Sequence, residues 1–292
     1  MFEGLYTALV TPFKEGKIDY DALNKIVELQ IKGGVDGIVP MGTTGESPTV
    51  SFDEHKNIIK HVVDLVKKRV KVIAGTGANS TDEAIYLTKS AEDNGVDAVL
   101  LVTPYYNKPP QRGLIAHFEN IARSVSIPII LYNIPGRTAI NLQPESIKEL
   151  LNRVDNIVAL KDATGDIPQM MKVIELCGDR LTLLSGDDIL LLPVLSIGGK
   201  GVISVISNIL PAEVKNIISL FNNGNYQKAK EAFYKLLPLS RAMFLEVNPI
   251  PIKSAMNLMG YCSSDIRFPL VTLNDENLTL LKKTMTDYGL KL

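Results

Sequence analysis

The sequence predicts an α/β protein built as a closed (β/α)₈ barrel with a helical extension at its carboxyl end. Three observations predict it. Short apolar runs alternate with longer amphipathic ones about eight times over roughly 220 residues, which is the count of a barrel of parallel strands joined by helices. The full chain of 292 residues is long enough for such a barrel as one unit. The turn after the first strand is Thr11-Pro12-Phe13, without the phosphate-binding glycine pattern that commonly opens the competing architecture, a doubly wound open sheet.

The strand-like runs are residues 6–10, 37–41, 70–74, 98–102, 127–132, 157–161, 181–184 and 201–205. Each is short, apolar and bounded by turn residues, as buried parallel strands are. Helical periodicity occupies residues 19–32, 52–68, 81–94, 114–124 and 144–152 between them. Ser80-Thr81-Asp82-Glu83 supplies capping side chains before one of these helices, and Asn94-Gly95 supplies its stop. Pro144 suits the first turn of another. Beyond Asn223-Gly224 the pattern is wholly helical, through 226–244, 250–259 and 277–288. The division expected is therefore a catalytic barrel over residues 1–224 and a helical region over 225–292. That tail is too short for a strong core of its own and is expected to pack on the barrel.

Composition narrows the function classes. Hydrophobic residues make up 46% and charged residues 22%, with a formal net charge of −1, so no basic field recruits nucleic acid or an anionic membrane. No apolar stretch approaches the ~20 residues of a membrane span, and no basic segment precedes a long apolar run at the amino terminus. A cytoplasmic protein is expected. Cys177 and Cys262 match no metal or redox spacing and are expected to be buried, reduced thiols. His55, His61 and His117 have no ligand spacing, so no metal is expected.

In a barrel of this kind the active site is assembled at the carboxyl ends of the strands. Strand two ends in Gly42-Thr43-Thr44-Gly45-Glu46-Ser47, strand four in Thr103-Pro104-Tyr105-Tyr106-Asn107 and strand five in Tyr132-Asn133-Ile134-Pro135-Gly136-Arg137-Thr138. Strand six ends in Lys161 and strand seven in Ser185-Gly186-Asp187-Asp188. Lys161 is the most informative of these residues. An ammonium at a buried strand end must be paired, solvated in a cavity or pushed toward the neutral amine, and a neutral lysine amine makes Schiff bases with carbonyl compounds. A lysine that merely snorkels off the strand end is the plainer alternative. Tyr132 shares inward parity with Ile130, so its hydroxyl can reach the mouth, or it is a core aromatic with one satisfied hydroxyl. Thr43 and Thr44 sit in a glycine-bracketed turn whose hydroxyls and amides suit a carboxylate or oxyanion, or which is an ordinary strand-to-helix turn. Arg137 could clamp a carboxylate with its planar guanidinium, or lie solvated at the surface. Asp187 and Asp188 form a carboxylate pair that lacks neighbouring histidines.

Together these segments, with Asn248-Pro249-Ile250-Pro251 in the tail, resemble the dihydrodipicolinate synthase and N-acetylneuraminate lyase family of class I aldolase-type barrels, over essentially the whole chain. The resemblance implies a lyase in which Lys161 forms a Schiff base with pyruvate. It further implies that Tyr132 is the general acid and base, and that Thr43 and Tyr106 complete a hydroxyl relay, Tyr106 entering the site of a neighbouring subunit. Thr44, with backbone near Ile203, would hold the pyruvate carboxylate, and Gly186 would present its carbonyl near the reacting centre. Arg137 and the paired threonines resemble the synthase branch, whose second substrate is L-aspartate 4-semialdehyde on the diaminopimelate route to lysine. The other branch cleaves sugar acids such as N-acetylneuraminate, and a barrel serving as a sensor or scaffold is the non-enzymatic alternative. The resemblance also implies a homotetramer and a lysine-inhibition site at Ser47, His55, Asn79, Glu83 and Tyr105. Pro48 and Phe52 stand where inhibited members have a small residue and a histidine, so weak or absent inhibition is expected.

Overall fold

The computed structural model describes residues 2–292; Met1, where the expected barrel region begins, lies outside the described residues. Eight parallel strands close on themselves: β1 (Gly4–Ala8), β2 (Gly37–Val39), β3 (Lys71–Gly75), β4 (Ala98–Val102), β5 (Ile129–Asn133), β6 (Ile157–Asp162), β7 (Thr182–Ser185) and β8 (Gly201–Ser204), with β8 hydrogen-bonded back to β1. Every strand matches an expected run to within a few residues. A small antiparallel hairpin, Phe13–Lys14 with Lys17–Ile18, follows β1 and had no separate signature in the sequence.

Helices α1 (Tyr20–Lys32), α2 (Phe52–Val66), α3 (Thr81–Asp93) and α4 (Gln111–Ser124) follow the first four strands. A short α5 (Pro135–Thr138), then α6 (Pro144–Leu151), α7 (Ile167–Cys177), α8 (Leu191–Ser196) and α9 (Pro211–Asn222) complete the outer ring. The expected caps are in place. Ser80 Oγ accepts the Glu83 N–H, and Gly95 takes the left-handed φ of +77° that ends the helix. Ser51 and Glu54 form a reciprocal capping box on α2.

Strand alternation divides the core in two. Tyr6, Ala8, Val39, Ile73, Ala98, Leu100, Ile130, Tyr132, Ala159, Leu184 and Ile203 fill the barrel interior. Their neighbours Leu5, Ile38, Val72, Val99, Leu131, Leu160, Leu183 and Val202 face the helices. On β6 the alternation is broken once. Ile129 pairs with Ile157 but Ile130 pairs with Ala159, so Val158 is an extra residue in the β6 ladder. Beyond it, Tyr132 lies directly opposite Lys161, and Lys161 shares the inward parity of Ala159.

The tail forms α10 (Tyr226–Ala242), α11 (Ile250–Leu258) and α12 (Asp275–Tyr288). Its buried residues Phe233, Leu236, Leu239, Met243, Ile252, Met256, Leu281 and Met285 belong to the same apolar cluster as the barrel's outer layer. Cys177 is buried, whereas Cys262 is only partly so; both are free thiols. No helix of the described residues is long and apolar enough to cross a membrane.

Candidate active site

The carboxyl ends of the strands surround a small, deep cavity of about 50 Å³, lined by Gly42, Thr43, Thr44, Tyr132, Ile134, Arg137, Lys161, Gly186 and Asn248 over an apolar floor that includes Ala8, Val39 and Leu100. Lys161 is 6% exposed, with Nζ 4.1 Å from the centroid of the Tyr132 ring. Burial pulls its ammonium down to about 8 from 10.5; Asp188 and Asp187 oppose the fall, and the Arg137 cation adds to it. The snorkelling alternative is thereby removed. The side chain points inward and lines the cavity.

Burial pushes the Tyr132 phenol up to about 12, against the pull of Arg137 and of the Thr43 hydroxyl. Tyr132 is therefore protonated at neutral pH and able to donate. Thr44 Oγ1 accepts a 2.9 Å hydrogen bond from Asn248 Nδ2, which leaves the threonine's own proton free to be donated elsewhere. Arg137 Nη2 donates to the Asn248 carbonyl at 2.9 Å. Gly186 packs so closely on β6 that an added Cβ would lie 2.8 Å from Ala163 Cβ and 3.0 Å from the Asp162 carbonyl oxygen.

Lys161, Tyr132, Thr43, Thr44, Arg137 and Gly186 are thus brought together at one mouth. Ile203 is buried in the barrel interior and is not among the residues that line the cavity, whereas Val205, just after β8, is. Tyr106 is not brought in. It is 90% exposed, at a left-handed φ of +72°, and projects from the chain.

A second, larger cavity of about 670 Å³ opens beside the first and shares Thr43, Ile134 and Arg137 with it. Ser47, His55, Glu83 and Tyr105 line it together with Pro48 and Phe52. Asn79 stands at its edge, donating through Nδ2 to the Tyr105 carbonyl. Desolvation pulls the His55 imidazole down to about 4, although Nε2 meets the Gly75 carbonyl oxygen at 2.9 Å. Among the described residues no group of three or more His, Cys, Asp or Glu side chains is placed to hold a metal ion.

Two contributors were given no role from the sequence. Asn248 touches both Thr44 and Arg137, and only its place in the Asn-Pro-Ile-Pro run could have signalled it. Asp188 is buried, and its Oδ2 accepts the N–H groups of Val205 and Ile206 at 2.9 Å each. The carboxylate pair noted in the sequence is therefore part of the scaffold around Lys161.

The chain matches the dihydrodipicolinate synthetase family over residues 1–288. It is 51% identical over 290 residues to a 4-hydroxy-tetrahydrodipicolinate synthase of Endomicrobium trichonymphae, covering 99% of each chain. Its fold superposes on the crystal structure of dihydrodipicolinate synthase from Aquifex aeolicus with a TM-score of 0.98 and 44% identity, covering 100% of this chain and 99% of that one. It also superposes on a monomeric dihydrodipicolinate synthase variant with a TM-score of 0.97 and 39% identity, covering 99% of this chain and 97% of that one. The chain belongs to the dihydrodipicolinate synthetase family.

Proposed function

We propose that the chain is a lyase that condenses pyruvate with L-aspartate 4-semialdehyde to form 4-hydroxy-tetrahydrodipicolinate, and that Lys161 carries the reaction as a Schiff base. The synthase activity rests on a relative of that name 51% identical over the whole chain. The mechanism rests on one observation: a buried lysine with its ammonium drawn down to about 8, packed on a tyrosine held at about 12. At pH 7 roughly a tenth of Lys161 is then neutral, against less than about a thousandth at its ordinary value.

The neutral amine attacks the ketone carbon of pyruvate, and water leaves after Tyr132 protonates the carbinolamine oxygen, giving an iminium. Thr44 holds the pyruvate carboxylate with the proton that Asn248 leaves free. The iminium draws electrons from the methyl group, whose proton leaves through Tyr132 to the Thr43 and Tyr106 hydroxyls. The resulting enamine carbon attacks the aldehyde of the semialdehyde, whose carboxylate Arg137 holds, and the alkoxide takes up a proton. The semialdehyde's amine then displaces Lys161 from the iminium carbon, closing the ring and regenerating the free lysine. Gly186 forms part of the wall of this pocket, and Ile203 packs in the barrel interior. The barrel over residues 1–224 carries the chemistry, the region over 225–292 packs on it, and no cofactor takes part.

The homotetramer implied by resemblance is part of the same proposal, with Tyr106 supplied by a neighbouring chain. The ring of Phe52 in the larger cavity offers no hydrogen-bonding nitrogen, so lysine binding there is weak. A lysine titration is expected to give no half-inhibition below about millimolar concentration; tight inhibition would overturn this part.

Borohydride reduction in the presence of pyruvate, followed by peptide mapping, tests the mechanism. A stable adduct on Lys161 is expected; an adduct elsewhere, or none, ends the Schiff-base reading. Condensation with L-aspartate 4-semialdehyde, assayed against cleavage of N-acetylneuraminate, tests the second substrate.

A further inference from the structure

The turn that carries Thr43 and Thr44 is bracketed by two non-glycine residues in the left-handed region, Met41 at φ +59° and Glu46 at φ +56°. Such conformations persist only where the surroundings hold them. Glu46 is held by its side chain, which runs away from the mouth into the helical tail. Its Oε1 accepts a 2.6 Å hydrogen bond from Lys253 Nζ of α11, and its Oε2 accepts the Arg267 backbone N–H at 3.0 Å. Lys253 and Glu46 are each about as buried as any residue in the chain, at 1% and 2% exposure. Lys253 Nζ and the Arg267 guanidinium both lie 4.4 Å from the centre of the buried Phe13 ring. Arg267 also makes two 2.7 Å contacts to Glu54 on α2.

The link from this ion pair to the chemistry is short. The Glu46 backbone N–H donates to the Thr43 carbonyl at 3.1 Å, and Thr43 lines the same small cavity as Tyr132. Stability alone is a poor reason for such a pair, because apolar side chains of the same volume serve a core as well or better. What an ion pair adds is direction: it specifies one backbone conformation for the residue that bears it. Burial pushes the Lys253 ammonium down and Glu46 pulls it back up, consistent with a pair kept for its geometry.

We infer that Lys253 is a positioning residue for the condensation, holding Glu46 so that the turn presents the Thr43 hydroxyl to Tyr132. The inference rests on the reading of Tyr132 and Thr43 as a proton relay. The helical tail then acts on the reaction through one buried ion pair, without touching substrate.

The test uses the full-length chain with Lys253→Met and Glu46→Gln combined, which removes both charges together. Near-UV circular dichroism checks the fold, and borohydride trapping of pyruvate checks that Lys161 still reacts. The expected result is a trapped adduct with kcat lowered about tenfold or more, and KM for pyruvate changed far less. The same pair of substitutions placed in a Thr43→Val background is expected to lower kcat no further. A kcat within about twofold of the parent, or an equal loss in the Thr43→Val background, would overturn the inference, since a merely structural pair weakens both proteins alike. Should the double variant not fold, Glu46→Gln alone is read by the same two criteria. Absence of trapped pyruvate in the unsubstituted protein would remove the reading beneath the inference, and the inference with it.

Discussion

At the scale of single residues, the cost of placing Lys161 inside the barrel can be separated from its use. Its ammonium falls from 10.5 to about 8, a shift worth roughly 3 kcal/mol between the two protonation states. Because the folded value is the lower one, the unfolded chain binds the extra proton between about pH 8 and 10.5, and stability rises with pH through that window. Lys161→Met is therefore expected to raise Tm at pH 7 while abolishing pyruvate trapping, with the gain shrinking between about pH 8 and 10.5. A thermal melt series from pH 7 to 10.5 checks it. The same titration governs reactivity: kcat/KM for pyruvate is expected to rise as pH increases toward about 8. Asp188 raises the Lys161 value, so Asp188→Asn is expected to move that limb to lower pH. A limb that stays in place, or moves up, would contradict the assignment.

At the scale of elements, the site depends on close approach of strand ends. Gly186 follows β7 and donates its N–H to the Asp162 carbonyl at 2.6 Å, leaving no space for a side chain against Ala163. Gly186→Ala is expected to cost about 1–3 kcal/mol through overpacking and to lower kcat/KM for pyruvate by displacing the wall beside Lys161. Denaturant melts with steady-state kinetics on the same preparation check both effects. Unchanged activity would mean that the two strand ends part without disturbing the lysine. The extra residue at Val158 acts at this scale too. Strict alternation counted from Ile157, which packs outward, would send Lys161 outward as well. One inserted residue reverses the parity beyond it and sets Lys161 opposite Tyr132.

At the scale of the whole molecule, Tyr106 is 90% exposed on a chain whose larger cavity stands open beside the active site. If Tyr106 serves a neighbouring chain's relay, two crippled proteins repair each other. Mixing Tyr106→Phe with Lys161→Met after mild dissociation is expected to give more activity than the average of the two alone, because a mixed assembly holds one site with both groups intact. Activity no higher than that average would place Tyr106 outside the relay. Sedimentation of the unsubstituted protein tests the tetramer directly.

The eight strands, their order along the chain, the caps of α3 and the first-turn proline of α6 were legible in the sequence, because burial periodicity and capping depend on residues close together. Lys161, Tyr132, Thr43, Thr44, Arg137 and Gly186 were legible as candidates for the same reason: each lies at a strand end or in the turn that follows. The contribution of Asn248 was not, nor was the pairing of Glu46 with Lys253, whose members lie 207 positions apart. Hydrogen bonds of that reach leave no periodic trace, since nothing in either local segment depends on the other until the chain has folded. The sequence by itself therefore determined the barrel and the side chains offered at its mouth. Only the tertiary structure decided that Lys161 points inward, that Tyr106 stands away from its own site, and that a buried carboxylate from the mouth is anchored in the tail. The physical reason is common to all three. A one-residue register shift, an exposed left-handed loop and a buried ion pair are settled by packing between distant segments, which no local pattern encodes.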